Sequence, residues 1–283
     1  MIFPASISAP FVPDAASLAP FAGELVLVGA MISVLLAAFF TKGRPNGATA
    51  IVTLVGLVVA LGAMVFVHGG SVVTGFFFHG MLVSDALAVA WKGMLFLFVI
   101  GLVLMWVGTT GPSMREGDGP EFFTLLLGAT LGMALMGSTT NLLMIFMAVE
   151  LASFPSYVLA GFRKTNRLGA EASLKYVLFG AASAAVMVYG LSFLYGLYGT
   201  LQLEELAAMV GTQTASGVLL AVALVGFGVG IAFKIAAVPF HFWAPDVFEG
   251  SAVDVAAFLS VASKGAAVVL LLRFLMTLAH GVD

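Results

Sequence analysis

Four ionisable residues, Glu150, Lys175, Lys234 and Lys264, fall deep inside long apolar stretches of the sequence. A charge at the centre of a bilayer costs about 2.5–3.5 kcal/mol on insertion scales, and three lysines would cost on the order of 8–10 kcal/mol. That cost is comparable to the net stability of a whole protein. We therefore expect these side chains to face a bundle interior, to pair or to contact water, where buried acids and bases can pass protons.

A structural role is the main alternative for these four charges, since buried ion pairs could lock neighbouring helices together without moving any proton. Lys175 has a further alternative, because it lies near one end of its apolar stretch and a long lysine side chain can snorkel to the interface. Lys264 is the strongest candidate proton carrier. No carboxylate lies within a turn of it on its own helix, and Ser260 is its nearest polar neighbour.

Two prolines and a histidine extend the interpretation of the buried charges. Pro155 follows Glu150 by five residues, and Pro239 follows Lys234 by the same interval. A proline inside a helix leaves the carbonyl four residues back without its hydrogen bond. Such breaks survive in membranes where protein or water satisfies the backbone. His241 lies seven residues after Lys234, so we expect it on the same helix face as part of a proton relay.

Two other patterns inside the apolar stretches favour structural roles. Asp85 and Lys92 are seven residues apart on one predicted helix face, towards its end, which favours an ion pair between them. Gly226, Gly228 and Gly230 lie inside an apolar helix with no strand before them. They therefore predict close helix packing rather than a dinucleotide-binding loop.

Composition and run length predict that these residues lie on transmembrane helices. Of 283 residues, 61% are hydrophobic and only 9% are charged, whereas soluble domains carry roughly 25% charged residues. Apolar runs of about 20 residues are long enough to cross a bilayer as helices, and they lack the alternation of membrane strands. We predict an all-α integral membrane protein with about eight transmembrane helices, at 22–41, 48–67, 83–109, 121–138, 141–162, 168–195, 215–241 and 252–279.

Three connecting segments carry their own predictions. The link at Ser138, Thr139 and Thr140 is so short that the fourth and fifth helices should be antiparallel neighbours. Residues 201–209 are too polar to span and predict a short amphipathic helix on the membrane surface. The first 21 residues contain four prolines and no basic residue. They lack the features of a signal peptide and predict an extended lead-in to the first helix.

Basic residues in the loops predict the orientation in the membrane. They gather in the loops of one side: Lys42, Arg44, Arg115, Arg163, Lys164 and Arg167. The opposite loops carry almost none, and one of them holds Glu204 and Glu205. By the positive-inside rule both termini should lie on the non-cytoplasmic side, in agreement with an even number of helices.

Charge and cysteine content exclude several classes of function. The net charge of −3 argues against nucleic-acid binding, which needs clustered basic residues. A chain without cysteine forms no disulfide, thiolate iron–sulfur cluster or cysteine-based zinc site. Its four scattered histidines give no haem or metal signature. We expect no cofactor and no metal, so electrons should not pass through this chain.

Two segments carry a family resemblance: MAVELASFPSYVLAGFRKTNRLGAEASLKYVLFGA at 147–181 and GIAFKIAAVPFHFWAPDVFEGSAVDVAAFLSVASKGAA at 230–267. They resemble the antiporter-like membrane subunits of respiratory complex I, most of all the subunit N group of bacterial NADH:quinone oxidoreductase. The resemblance covers roughly residues 80–280, and AFK followed by VPFHFWAPDVFEG is its most specific part. It implies a proton-translocating, non-redox subunit of that translocase, embedded in the inner (plasma) membrane against its other membrane subunits.

The resemblance also implies a role for each candidate residue. Glu150 matches the buried glutamate of the fifth helix, and Lys234 matches the lysine of the broken seventh helix that faces it. Lys264 matches the central lysine of the eighth helix, and Lys175 an additional lysine of the sixth. His241 matches the histidine that links these groups along the membrane. We expect Lys234 to alternate between Glu150 and Lys264 and so to drive proton loading and release.

The resemblance further implies a division of the chain. The family has about fourteen helices, with two inverted repeats of five that each form one half-channel. We expect an N-terminal segment with three transmembrane helices at 1–115 and a five-helix proton-channel repeat with a broken seventh helix at 116–283. A separate chain could supply the second repeat.

Two alternatives stay open at this point. The lysine and glutamate motifs are shared with subunits of multi-subunit cation/proton antiporters and membrane-bound hydrogenases. A truncated subunit that holds its neighbours in place and pumps nothing would also retain them. The structural alternative predicts that Lys234 and Lys264 can be removed without effect.

Overall fold

The computed structural model describes residues 15–40, 45–109, 118–163, 166–210 and 216–280, and nearly all of these residues are helical. Within these ranges eight helices are long and apolar enough to cross a membrane. Apolar runs become helices in lipid because a helix satisfies its own backbone hydrogen bonds. The prediction of an all-α membrane protein with about eight spans is confirmed.

The spans follow one another along the chain, with short helices between some of them. The first combines α1 (Ala15–Leu18), a 3₁₀ turn (Ala19–Phe21) and α2 (Ala22–Phe40). The next six are α3 (Pro45–His68), α4 (Ala86–Gly108), α5 (Gly119–Met136), α6 (Leu142–Ala160), α7 (Arg167–Tyr198) and α9 (Gly217–Ile235). The eighth combines α11 (Val253–Phe258), a π-helical turn (Leu259–Ser263) and α12 (Lys264–His280). The short helices are α8 (Leu203–Val210) and α10 (Trp243–Gly250).

Side-chain caps fix where three of the spans begin. Asp85 accepts a hydrogen bond from an N–H in the first turn of α4, and Asn141 and Asn166 do the same for α6 and α7. Short polar side chains at this position satisfy backbone donors that have no partner inside the helix. The predicted third span at 83–109 therefore starts later than expected, at Ala86.

Helix packing confirms two of the predicted contacts. α5 packs extensively against α6, as the short link between them predicts. α7 packs most extensively against α9, where an added Cβ on Gly226 would lie 2.8 Å from the Cα of Gly190. Gly230 is also in close contact, with Met187, whereas a Cβ added to Gly228 would meet no other described residue within 4 Å. The close-packing prediction holds for two of the three glycines and is wrong for Gly228.

The seventh span is broken, as predicted, but it ends at Ile235 rather than at 241. Ala236 adopts the left-handed conformation with φ of 61°, and the Ala237 N–H donates a 2.8 Å hydrogen bond to the Ala232 carbonyl. That pattern closes a helix by satisfying its last carbonyls. Pro239 follows in the turn, where its missing N–H cannot extend the helix. The chain resumes as α10 at Trp243.

The start of the chain departs from its prediction. Residues 1–14, which carry most of the predicted lead-in, lie outside the described residues. From Ala15 to Phe21 the chain is helical rather than extended. Pro20 is tolerated because it lies in the first turn of the 3₁₀ segment, where no backbone donor is needed.

The predicted cytoplasmic charges Lys42, Arg44, Arg115 and Lys164 also lie outside the described residues.

A short β-hairpin that the sequence analysis missed lies on one side of the bundle. β1 (Gly75–Phe77) pairs antiparallel with β2 (Leu82–Ser84). Thr140, in the link before α6, donates a 2.9 Å hydrogen bond to the Gly80 carbonyl, and the Gln202 amide donates a 2.6 Å hydrogen bond to the His79 carbonyl. These contacts join the hairpin to the link and to the chain before α8. α8 itself confirms the short helix predicted at 201–209.

Candidate functional site

Glu150 and Lys234 line one narrow cavity of about 10 Å³ between α6, α7 and α9. Glu150 lies midway along α6 and Lys234 in the last turn of α9, just before the helix breaks. Ser153, Tyr157 and Ser183 add hydroxyl groups to the same wall. A cavity of this size has room for about one water molecule, which would need polar partners such as these.

Glu150 and Lys234 do not form a direct ion pair. The Lys234 ammonium, on a residue only 2% exposed, and the Glu150 Oε1 atom are both buried without a hydrogen-bonding partner among the described residues. The structure thus brings the two predicted partners to one cavity and leaves a gap between their charged groups. Their pairing stays a prediction.

The two prolines differ in their effect on the backbone. Pro155 lies inside α6, which runs on to Ala160 without a break. Around it, the Ser153 hydroxyl donates a 2.5 Å hydrogen bond to the Val149 carbonyl, and the Ser156 hydroxyl donates a 2.6 Å hydrogen bond to the Ala152 carbonyl. Pro239 lies beyond the end of α9 rather than inside it. The prediction of a mid-helix proline is therefore correct only for Pro155.

Lys264 begins α12, directly after the π-helical turn. Its ammonium lies 5.1 Å from the centre of the Phe248 ring, a cation–π distance. Within the described ranges no carboxylate forms an ion pair with it, and Ser260 turns its hydroxyl back to the Ala257 carbonyl. The expectation that Lys264 has no carboxylate partner agrees with these contacts.

Lys175 is not buried, contrary to prediction. Its side chain is 37% exposed and its ammonium lies 2.7 Å from Asp246 on α10 and 2.8 Å from Glu171 on its own helix. The side chain reaches the edge of the bundle, as the snorkelling alternative anticipated. Asp246 stands in the quoted motif FHFWAPDVFEG, but nothing in the spacing connects it to a lysine 71 positions earlier.

His241 does not continue the face of Lys234, so that prediction is wrong. A seven-residue interval places two residues on one face only in an unbroken helix, and α9 ends between them. His241 lies in the turn before α10, with its ring stacked on Phe242 at a centroid distance of 4.7 Å. Among the described residues its Nδ1 atom is buried without a hydrogen-bonding partner.

The predicted pair of Asp85 and Lys92 is replaced by two separate ion pairs. Lys92 turns to Glu24 on α2, with 2.5 Å between the charged atoms and side-chain exposures of 2% and 8%. Its ammonium also lies 4.8 Å from the centre of the Phe21 ring. Glu24 stands 68 positions before Lys92, so sequence spacing could not identify it as the partner.

Asp85 pairs instead with Arg273, about midway along α12. The guanidinium donates two hydrogen bonds to the carboxylate, at 2.9 and 2.8 Å, and a third to the Gly137 carbonyl at 2.9 Å. Partial burial raises the pKa of Asp85, but the hydrogen bonds from Arg273 and the Ala88 N–H and the nearby positive charges outweigh it. The pKa of this carboxyl therefore lies below its ordinary value.

An aromatic cluster lies between the two lysine sites, and the sequence analysis did not single it out. The Tyr176 ring stacks on Trp243 at 4.4 Å and meets Tyr157 edge to face at 4.7 Å. The Trp243 indole donates a 3.0 Å hydrogen bond to the Phe233 carbonyl, next to Lys234. No three His, Asp or Glu side chains gather as a metal site anywhere in the described ranges.

Relatives in other organisms match most of this chain. NADH-quinone oxidoreductase subunit N of an Anaeromyxobacter species is 44% identical over 206 residues, which cover 69% of this chain and 39% of that protein. Subunit N of Chlorobium chlorochromatii is 36% identical over 92% of this chain and 50% of that protein. NAD(P)H-quinone oxidoreductase subunit 2 of Thermosynechococcus vestitus is 40% identical over 89% of this chain and 48% of that protein. The chain thus spans half or less of the length of these curated relatives.

Solved structures agree with the sequence relatives. A chain in respiratory complex I from Thermus thermophilus with bound aureothin is 33% identical, with a TM-score of 0.73 over 89% of this chain and 52% of that one. A chain of the archaeal membrane-bound sulfane sulfur reductase has the same TM-score of 0.73 at 21% identity, which shows a shared fold. A family profile described as NADH:quinone oxidoreductase/Mrp antiporter, TM, matches residues 139–282. These matches confirm the resemblance in the sequence, and the chain belongs to the NADH:quinone oxidoreductase/Mrp antiporter transmembrane family.

Proposed function

We propose that this chain is a proton-translocating, non-redox membrane subunit of NADH:quinone oxidoreductase, with Glu150, Lys234 and Lys264 as its proton carriers. The main support for the proposal is the environment of the Lys234 ammonium. The ammonium is buried, shares a cavity with the Glu150 carboxyl group and has no hydrogen-bonding partner in the part of the chain that the structure describes. A lysine held in this way is costly to the fold, and the cost is accounted for if the group binds and releases a proton during turnover.

The proton moves in steps between groups of alternating charge. A proton on Lys234 is favoured when the ammonium approaches Glu150, because an opposite charge stabilises it. When the ammonium moves away towards Lys264, repulsion between the two positive charges favours release from one of them. The end of α9 directly after Lys234 gives this side chain a less constrained backbone than a mid-helix position would.

Two further predicted residues act at the edges of this path. Lys175 holds α10 against α7 through Asp246 and thereby fixes the turn that carries His241. The free Nδ1 atom of His241 makes it a candidate for proton exchange between the turn and its surroundings.

The division into a 1–115 segment and a 116–283 channel repeat belongs to the same proposal. All five candidate residues fall within the second region: Glu150, Lys175, Lys234, His241 and Lys264.

The assembly and its location are also part of the proposal. The matched complex I and reductase structures are multi-subunit membrane complexes. By analogy the partners of this chain are other membrane subunits and the lipid bilayer, and the second repeat of the family lies in additional sequence or on a separate chain. The chain is then a multi-pass protein of the inner (plasma) membrane with both termini on the non-cytoplasmic side.

Membrane vesicles that contain the assembled enzyme test the proposal. NADH oxidation and proton uptake are measured together for Lys234→Met and for Arg167→Met, which removes an exposed positive charge near the start of α7. Lys234→Met should lower the protons moved per electron, because proton transfer slows by about a hundredfold when its acid–base group is lost. Arg167→Met should match the parent. A parent ratio in assembled Lys234→Met would overturn the proposal and favour a purely structural subunit.

A further inference from the structure

A line of hydroxyl groups leads from the Glu150 cavity into the bundle. Glu150, Ser153 and Tyr157 are spaced by three and four residues, so they share one face of α6. The Tyr157 hydroxyl lies beside that of Ser153 and lines the cavity with Glu150. On α7, Gly180 leaves room for it, since an added Cβ there would overlap the Tyr157 hydroxyl.

Tyr176 continues this line towards Lys264. It is 0% exposed, and its ring meets Tyr157 edge to face at 4.7 Å. Its hydroxyl lies close to that of Ser263 without a direct hydrogen bond between them, and Ser263 is only 1% exposed. Ser263 closes the π-helical turn and directly precedes Lys264 in the chain.

Several polar atoms along this line are buried and have no hydrogen-bonding partner within the described ranges. They are Glu150 Oε1, Lys234 Nζ, Tyr176 Oη and Ser263 Oγ. Buried polar groups without partners are rare in folded proteins, and each one calls for an explanation. Their alignment between two proposed proton carriers suggests a common explanation, which is proton transfer with the help of ordered water.

We propose that Tyr157, Tyr176 and Ser263 form a hydroxyl relay that carries protons between the Glu150–Lys234 cavity and Lys264. The inference rests on the proton-translocating function proposed above and names the groups that connect its two lysines. It also assigns the connection to the aromatic cluster rather than to His241, which lies in the turn beyond α9.

Each step of the relay is a balanced proton exchange. A hydroxyl oxygen accepts a proton from the group on one side while its own O–H proton passes to the group on the other side. No electron is transferred and no heavy-atom bond forms or breaks. The phenol is neutral before and after each step and then reorients. Trp243 holds the Tyr176 ring by stacking, and its indole is fixed by the bond to the Phe233 carbonyl.

The decisive variant is Tyr176→Phe, which keeps the ring and its stacking and removes only the hydroxyl. It is measured in vesicles with assembled complex, as protons moved per electron, beside Tyr195→Phe. Tyr195 lies on the same helix but is 50% exposed, so its loss should leave the ratio unchanged. Tyr176→Phe should lower the ratio at unchanged assembly, and a parent ratio would overturn the relay.

Ser263 provides an independent test, in which a retained hydroxyl should rescue function. Ser263→Ala should lower the proton ratio, whereas Ser263→Thr, which keeps the hydroxyl, should restore most of it. If Ser263 served only in packing, Ser263→Thr would lower the proton ratio more than Ser263→Ala, because threonine adds volume to a packed site and alanine does not. If assembled Ser263→Ala moves as many protons per electron as the parent, the relay is wrong. This test remains decisive even if Tyr176→Phe fails to assemble.

Comparison with Lys234→Met separates the two proposals. If Lys234→Met lowers the proton ratio while Tyr176→Phe and Ser263→Ala match the parent, the relay is wrong and the proposed function stands. If all three variants match the parent, the proposed function fails and the relay fails with it. A lowered ratio in all three variants supports both.

Discussion

Lys92 on α4 lies 2.5 Å from the carboxylate of Glu24 on α2, and both side chains are almost completely buried. Breaking a buried pair leaves the remaining charge without compensation, at a cost of about 3–5 kcal/mol. Lys92→Met alone should therefore lower the thermal stability of the detergent-solubilised protein strongly. The double variant Glu24→Gln with Lys92→Met should recover much of the loss.

An exposed charge provides the control for this pair. Glu249 is exposed on α10, and Glu249→Gln should change the unfolding temperature little. Equal stability of Lys92→Met and the parent would show that the pair contributes nothing. If the double variant were as unstable as Lys92→Met, the loss would come from packing rather than from the unpaired carboxylate.

Asp85 has two separable functions, capping α4 and pairing with Arg273. Asp85→Asn should keep the cap and lose the pair, because asparagine caps helices as well as aspartate does. Asp85→Ala should lose both and be less stable by about 1 kcal/mol more. Thermal unfolding at neutral pH measures both differences. Equal stability of the two variants would rule out the capping contribution.

The pair with Arg273 also predicts a pH dependence. Since the pKa of Asp85 is lower in the folded protein than its ordinary value, the ionised carboxylate stabilises the folded state above about pH 4. That contribution is lost as the pH falls through the folded pKa. The stability gap between the parent and Asp85→Asn should thus be full at neutral pH and close in acid. A gap that widens in acid would contradict the assignment.

Arginine substitutions distinguish a proton carrier from an electrostatic anchor. Lys264→Arg should lower the protons moved per electron, because a guanidinium scarcely deprotonates. Lys175→Arg should keep the parent ratio, since pairing with Asp246 and Glu171 requires only a positive charge. Both are measured in vesicles and normalised to assembled complex. Normal pumping by Lys264→Arg, or lost pumping by assembled Lys175→Arg, would reverse the two roles.

The glycines of α9 give a matched pair for packing. An added Cβ at Gly226 would lie 2.8 Å from the Cα of Gly190, whereas one at Gly228 would lie more than 4 Å from every other described residue it could meet. Gly226→Ala should therefore destabilise the protein by about 1–3 kcal/mol through overpacking. Gly228→Ala should be neutral or stabilising by up to about 1 kcal/mol, because alanine favours the helix. Thermal unfolding of both variants decides whether α7 and α9 approach this closely.

Hydrophobicity and length were sufficient to predict the spans, because a bilayer imposes both on any helix that crosses it. The same reasoning could not predict the end of α9 at Ile235. That end depends on the left-handed conformation of Ala236, which alanine adopts only when its surroundings impose it. The hairpin from Gly75 to Ser84 was missed because its strands are too short to show a pattern.

Charge partners were harder to predict than charge positions. A lone charge in an apolar run is visible in the sequence, so Lys234 and Lys264 could be identified. The partner is a property of the packed bundle, and Lys92 and Lys175 pair with residues on other helices far along the chain. Tyr176 could not be identified from the sequence, because a single tyrosine in an apolar helix is common. Only its neighbours distinguish it from ordinary packing.

The π-helical turn at Leu259–Ser263 has a consequence for comparing this chain with its relatives. Such a turn holds one residue more than the α-helical turn it replaces, while the helix continues on both sides. A relative that lacks one residue between Asp254 and Lys264 could therefore form a regular α-helix in this segment. Its residues equivalent to Asp254 and Lys264 would then contact the same neighbours as they do here. A one-residue gap in this segment would then mark a change of helix type rather than a displaced lysine, and alignments of the eighth span should allow for it.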